Sequence, residues 1–465
     1  MEVSNRNDTF VNSSYDTLVN STYARFATLF AKFGAIATVS AVLLGVTGLT
    51  SCGKNSTGNS NSSVRVVNLA PESGNLSLVV DDATTNLQSA ITYKATTGYA
   101  NVASGSRRIR VSNTSGVILD QTINAVAQQH QLLVVYGGAS SVGGAFLNND
   151  QTGVAAGSSR VRLINFAVGL GLYDFYLIAS GVDYSTVEPT VKGTASTTFE
   201  VVAGSYQIVL TSPGTKDVVF KMPARTLDNQ QYYNLALFNE GSGELPSAFW
   251  VKQNDDTTAP EFIANPVSRV RAANSQSAAA ITNVSVDGVR LFTNVTFGGV
   301  SNYAKTSSGP KTITYTDTAN LANTYTLTDT FVGAGDYSAF LSTNPANGSI
   351  SVFRIADKLL PPTAGKVRLR LVNASTAQDI SLSLNFGSIL TPLVPPRTAS
   401  NYIETIGGTG SNITVSQGAA AISLINTTAD LLVGGSYSII ISGTPPASSP
   451  LTSASPLQIT IRLDK

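Results

Sequence analysis

From residue 64 onward, apolar and polar positions alternate in short runs, the period of a β-strand rather than a helix. The stretch "ITNVSVDGVRLF" (281–292) alternates on both sides of Asp287-Gly288, the pair best suited to a two-residue type I′ hairpin turn. Four further runs read as strands: "QLLVVYGG" (131–138), "YNLALFNE" (233–240), "YSAFLSTN" (337–344) and "YSIIISGT" (437–444). Each is followed by another apolar run, in "GGAFLNND", "SAFWVKQND", "SISVFRIAD" and "LQITIRLDK".

These elements recur. "VRVVNLAP" at Val64, "VRLINFAV" at Val161, "VRAANSQS" at Val270 and "LRLVNAS" at Leu369 are alike, at intervals of 97, 109 and 99 residues, about one domain length each. "YANVASGSRRIRV" from Tyr99 aligns without a gap on "YAKTSSGPKTITY" from Tyr303. Tyr402 with Gly408, and Phe199 with Gly204 one residue shorter, continue the pattern. A left-handed turn is expected at Gly105, Gly204, Gly309 and Gly408. Tyr99, Tyr303 and Tyr402 are expected to pack beneath the turns made by Gly105, Gly309 and Gly408. The fold class is all-β: four tandem Ig-like β-sandwich domains, 64–156, 157–258, 266–362 and 365–465, after a signal peptide and a flexible tether. Pro- and Gly-containing stretches, "QTGVAAGS", "DDTTAPEFIANP" and "LLPPTAG", read as linkers.

The order V-R-x-x-N, an apolar strand into a D-G hairpin, an aromatic six residues before a turn glycine, then Tyr and a β-run, resembles domain-of-unknown-function family 4397. The resemblance covers most of 64–465, is clearest in units one and three, and weakens in four, where "LNFGSIL" replaces the D-G hairpin. It implies an exported Ig-like sandwich in tandem copies and carries no established activity.

Ahead of the repeats, residues 33–49, "FGAIATVSAVLLGVTGL", are uncharged and mostly apolar, with Arg25 and Lys32 upstream. The layout is that of a secretory signal, and the run is slightly short for a membrane span of roughly 20 residues. Leu49-Thr50-Ser51-Cys52 resembles the lipobox of bacterial lipoproteins, and Cys52 is the single cysteine. That resemblance implies a signal peptide over 1–51, lipid attachment at Cys52, and a tether over 52–63. Several acyl chains are needed for stable anchoring, since each buried methylene contributes only about 0.8 kcal/mol. Gly53 in place of an aspartate points to the outer membrane, on its periplasmic or extracellular face.

Composition narrows the partners. Charged residues are 12% of the chain and 29 basic residues stand against 28 acidic ones, so no strong field attracts nucleic acid. His130 is the only imidazole, and at a strand entrance it reads as a structural or solvent-exposed ring. No second Cys or His is present for zinc, and there is no G-x-S-x-G elbow, P-loop or dinucleotide fingerprint. Asp81-Asp82 and Asp255-Asp256 read as turn and linker residues. The expectation is therefore no catalytic residue, no cofactor and no metal.

Two functions remain. One is a non-catalytic envelope lipoprotein whose sandwiches form an extended structural or interaction arm, with the membrane as partner through its lipid. The other is a carbohydrate-binding or adhesive module, with a glycan or an envelope protein as partner. In "LGLYDFYLIASGVDY" the alternation puts Tyr173, Phe175 and Leu177 on one face and Asp174, Tyr176 and Ile178 on the other. If Tyr176 is exposed near Trp250, the only tryptophan, the pair would stack on a sugar ring. If both rings lie in sandwich cores or a domain interface, the structural reading stands.

Overall fold

The V-R-x-x-N strand organises every unit. The computed structural model describes residues 61–138, 141–148, 153–253, 258–445 and 457–465, and their strands form eight sheets, two per repeat. In each repeat this strand runs parallel to the tyrosine-containing run: Asn61–Leu69 beside His130–Gly138, Ser158–Asn165 beside Tyr232–Asn239, Val267–Asn274 beside Asp336–Thr343, and Val367–Ser375 beside Ser436–Gly443. The closing apolar run pairs antiparallel on the far side, giving an inner sheet. A second, outer sheet carries the hairpin and the strands that follow it, and a separate apolar cluster fills each of the four sandwiches.

The hairpin forms where the alternation places it. Ile281–Val286 turns into Val289–Thr296, with Asp287 at φ 49° and Gly288 at φ 80°, as a type I′ turn requires. Asp81 and Asp82 adopt the same conformation in the first unit, and Asn385 and Phe386 do so in the fourth, where the D-G pair is missing. In these three turns the first side chain accepts the amide of the adjacent strand, at Arg108, Thr312 and Asn412. Turn chemistry survives the change of residue because a short polar side chain can stabilise the left-handed conformation.

Two local anchors explain other repeated residues. The buried Asn68, Asn274 and Asn373 and the half-buried Asn165 each accept an amide two residues on, at Ala70, Gln276, Ser375 and Ala167. The hydroxyls of Tyr233, Tyr337 and Tyr437 accept the amides of Asp228, Val332 and Leu432, each five residues upstream. That contact is the tyrosine corner of Ig-like sandwiches. In the first unit Gln131 takes its place, its side-chain oxygen accepting from Val126.

Three expectations are corrected. Gly105 and Gly309 have φ near +100°, but Gly204 and Gly408 do not adopt a left-handed φ; in the fourth unit Gly410 does. The first strand starts at Asn61, inside the expected tether, and Glu261–Ile263 adds a fifth strand to the second unit's inner sheet, so that unit extends past 258. Two of the linkers are also packed. Asn265 is buried, donating to the carbonyls of Val219 and Pro246 and accepting from Val267, and Leu359 donates its amide to Gly241.

Within Asn59–Lys465, which forms one compact unit, the sandwiches associate through their inner sheets. Alternation sends Val64 and Val66 into the first core and Val67 and Leu69 out of it, where they meet Phe238, Phe249 and Val251 of the second unit. Ala273, Phe340 and Phe353 of the third meet Val372, Ala374 and Ile440 of the fourth. The expected extended arm of separate modules is thus replaced by two face-packed pairs, which also touch each other through Ser242 and Asp336 and through Glu72 and Lys358.

Candidate functional site

The most chemically distinctive cluster lies where the third and fourth sandwiches meet. Arg271 and Arg370 occupy the same position in the two V-R-x-x-N strands and point away from their own cores. Each is 1% exposed. Each Nε donates to a serine on the neighbouring parallel strand, Ser338 at 2.7 Å and Ser438 at 2.8 Å. Each serine in turn donates to a carboxylate, Asp357 or Asp464, at 2.6 Å.

The charges then cross. Arg271 of the third unit pairs with Asp464 of the fourth at 2.6 Å, while Arg370 of the fourth pairs with Asp357 of the third. Tyr303 and Tyr402 lie over these guanidinium groups at 4.8 Å and donate their hydroxyls to Asp357 and Asp464 at 2.6 and 2.8 Å. The outcome is a buried lattice with approximate two-fold symmetry, two arginines, two aspartates, two tyrosines and two serines satisfying one another. Burial opposes ionisation of Asp357, but Arg370 and Arg271 outweigh it and hold the carboxyl below its ordinary value. Burial beside carboxylates pushes both tyrosine hydroxyls well above theirs.

This placement corrects the expected role of the repeated tyrosines. Tyr303 and Tyr402 cover arginines at the sandwich interface instead of packing beneath Gly309 and Gly408, and Tyr99 lies 4.1 Å from Arg65 and 4.5 Å from the His130 ring. His130 therefore opens its strand as a half-buried ring against Tyr99.

The sequence-derived binding pair is not brought together at the surface. Trp250 is 9% exposed and stacks on Tyr233 at 4.9 Å inside the second core, whereas Tyr176 is 1% exposed on the opposite face of the outer sheet, with Ile178, Val209 and the edge of Tyr184. An exposed Tyr176–Trp250 platform is thus replaced by two buried rings, because each face of Tyr173–Ala179 is covered. Lys216 lies 4.7 Å over Tyr176, and buried Asp174 accepts the amides of Gly193, in the neighbouring strand Val191–Thr194, and of Gly214, in the loop after Thr211. Asp81 and Asp82 face Arg107, Arg108 and Arg110 as surface ion pairs. Asp255, Asp256 and Cys52 lie outside the described residues. Among the described residues no cluster of three metal-ligating side chains occurs.

The lattice was missed in the sequence, yet a signal existed. In "VRLRLVN" the face opposite Val367, Leu369 and Leu371 carries Val372 beside Arg368 and Arg370, and the apolar residue there is the one hint that this face is covered as well.

Comparison with known proteins bears on the same repeats. The family described as Domain of unknown function (DUF4397) matches residues 62–176 and 268–383, each match beginning in the V-R-x-x-N strand of the first or third unit and running into the next. No curated protein matches. Among solved structures, the Bacillus anthracis TIE protein matches at 11% identity over 83% of this chain and 69% of that one, with a TM-score of 0.16, too low to carry an argument.

Proposed function

Because the chain belongs among proteins with tandem DUF4397 domains, we propose that it is a non-catalytic lipoprotein of the cell envelope, held to the outer membrane through Cys52 and presenting its paired sandwiches as a rigid structural or interaction body. The observation that carries this reading is the use made of the repeated residues. Arg, Tyr, Asp and Ser of the third and fourth copies engage one another across an interface, with their hydrogen bonds satisfied. Residues that serve assembly in this way are not free to act on a substrate.

The anchor follows from the apolar run 33–49 and the lipobox-like Leu49 to Cys52. No helix among the described residues is long and apolar enough to cross a membrane, a statement that does not concern β-barrels. In the anchored protein the lipid holds Cys52 and the following residues lead to the first strand at Asn61. Replacing Cys52→Ser and following membrane fractionation and metabolic labelling with a fatty acid tests the reading. Loss of label and accumulation of an unprocessed precursor are expected. Unchanged labelling and membrane association would contradict it.

A further inference from the structure

Two clefts flank the buried lattice, related by the same approximate two-fold axis. One is lined by Arg269, Arg271, Asn302, Tyr303 and Lys465, with Glu244 reaching in from the second unit. The other is lined by Arg368, Arg370, Asn401, Tyr402 and Lys358, with Glu72 reaching in from the first unit. The two arginines, the asparagine, the tyrosine and the lysine correspond, and two differences alter the chemistry: the partner of the first arginine and one wall residue.

In the first cleft the Nε and Nη2 edge of Arg269 clamps Asp336 at 2.7 and 2.6 Å. Asp336 also accepts from Ser242 Oγ and the Gly243 amide. The protein itself supplies the carboxylate that this guanidinium recognises. In the second cleft the strand register that pairs Arg269 with Asp336 pairs Arg368 with Ser436. A hydroxyl thus stands where the sister cleft has a carboxylate. Arg368 Nη1 donates to the Leu360 carbonyl at 2.9 Å, but Nε has no hydrogen-bond partner among the described residues. Nη2 has Glu72 only at 3.9 Å, beyond hydrogen-bond reach. Arg368 is 7% exposed, so an unmatched edge of its guanidinium is costly.

We propose that this second cleft binds a small carboxylate ligand, with Arg368 as its principal recognition group. Arg368 Nε is buried, so a ligand meets the guanidinium at Nη2, beside Glu72. Lys358 has a side chain 66% exposed and stands 3.8 Å from Glu72, placing a second cation at the entrance. The cavity is about 410 Å³, within the range of small-molecule sites. Ser400 and Asn401 add polar groups to its wall. The sister cleft has Arg462 on the wall where this one has Ile355, and Arg462 there engages Asn302, the counterpart of Asn401. A carboxylate on a hydroxylated ring, such as a hexuronate sugar, satisfies the guanidinium and the polar wall together. Glu72 repels the same ligand and sets its affinity.

The full chain titrated calorimetrically with D-glucuronate, D-glucose and inorganic phosphate tests the assignment. Saturable glucuronate binding at least tenfold tighter than that of glucose or phosphate is expected. Ser436→Asp would install the sister cleft's carboxylate against Arg368 and reduce glucuronate affinity at least tenfold. Glu72→Gln, at the mouth and outside every core, is expected to tighten binding several-fold. No saturable glucuronate binding, a preference for phosphate, or unchanged affinity in both variants would overturn the proposal.

Discussion

The first pair of sandwiches and the second use the same strand to meet, and hold together by different physics. Between the first and second units the seam is mainly apolar, Val67, Leu69 and Val134 lying against Phe238, Phe249 and Val251, and its polar contacts among the described residues include the Lys94–Glu240 ion pair and the bonds from Tyr93 to the Asn239 carbonyl and from Gln253 to the Asn148 carbonyl. Between the third and fourth it is divided between apolar contacts and the crossed ion pairs of Arg271 and Arg370. The substitutions responsible are few. Where Arg271 and Arg370 face Ser338 and Ser438, Arg65 faces Leu132 and Arg162 faces Asn234. Where the third and fourth units place Asp357 and Asp464, the second places Gln253, beside Tyr232. Arg65 then rests on the Tyr99 ring, and Arg162 donates to Asn234 at 2.7 Å.

A geometry shared by the repeats thus tolerates different fillings. Apolar burial degrades gradually as groups are removed, whereas a buried ion pair fails when one partner is lost, since the other charge stays behind without compensation. The largest expected effect therefore falls on the second pair. Asp357→Ala strands Arg370 and should lower the stability of the third and fourth units by about 3–5 kcal/mol in urea unfolding. The corresponding change Gln253→Ala removes a neutral group and should cost only about 1 kcal/mol. Equal losses would erase the distinction. On the apolar side, Phe238→Ala should cost about 3–5 kcal/mol through a cavity at the seam.

A smaller effect separates ring from hydroxyl. Tyr303→Phe keeps the ring over Arg271 but deletes the 2.6 Å bond to Asp357, a bond to a charged acceptor worth about 1.5–3 kcal/mol. A wild-type melt in this variant would mean that the ring alone matters. Smallest is the acid response. Asp357 has a folded value below its unfolded one, so its contribution is complete above about pH 4 and is lost as pH falls further. The second pair should loosen on acidification before the first, as read by amide hydrogen exchange across Asp336–Thr343 and Tyr232–Asn239.

Much of this architecture was legible from alternation and repetition. Asp287-Gly288 announces its turn because few pairs accept two successive left-handed residues, and the Tyr233, Tyr337 and Tyr437 runs announce strands by their composition. Tyr173, Phe175 and Leu177 do enter the core as their alternation indicates, with Tyr176 on the other face. What alternation leaves open is whether a second face is wet or covered. Alternation makes Tyr176 a candidate for exposure on that account, yet Tyr184, Val187 and Lys216 cover its sheet face. The arginine lattice was hidden for a related reason: an arginine on the outward face of a strand ordinarily meets water, and only the approach of another sandwich buries it. Asp464 lies 193 residues after its partner Arg271 and Asp357 lies 13 residues before its partner Arg370, and both pairs cross between units, a connection no strand alternation encodes.

The crossed ion pairs make one measurement decisive. A double-mutant cycle on Arg370→Met and Asp357→Leu, with stability read by urea unfolding, isolates the interaction between the third and fourth sandwiches. A coupling free energy of about 1.5–3 kcal/mol is expected, with the double variant far more stable than the sum of the single losses implies. Single effects that add to within about 0.5 kcal/mol would show two independent residues, and would contradict a lattice that joins one sandwich to the next.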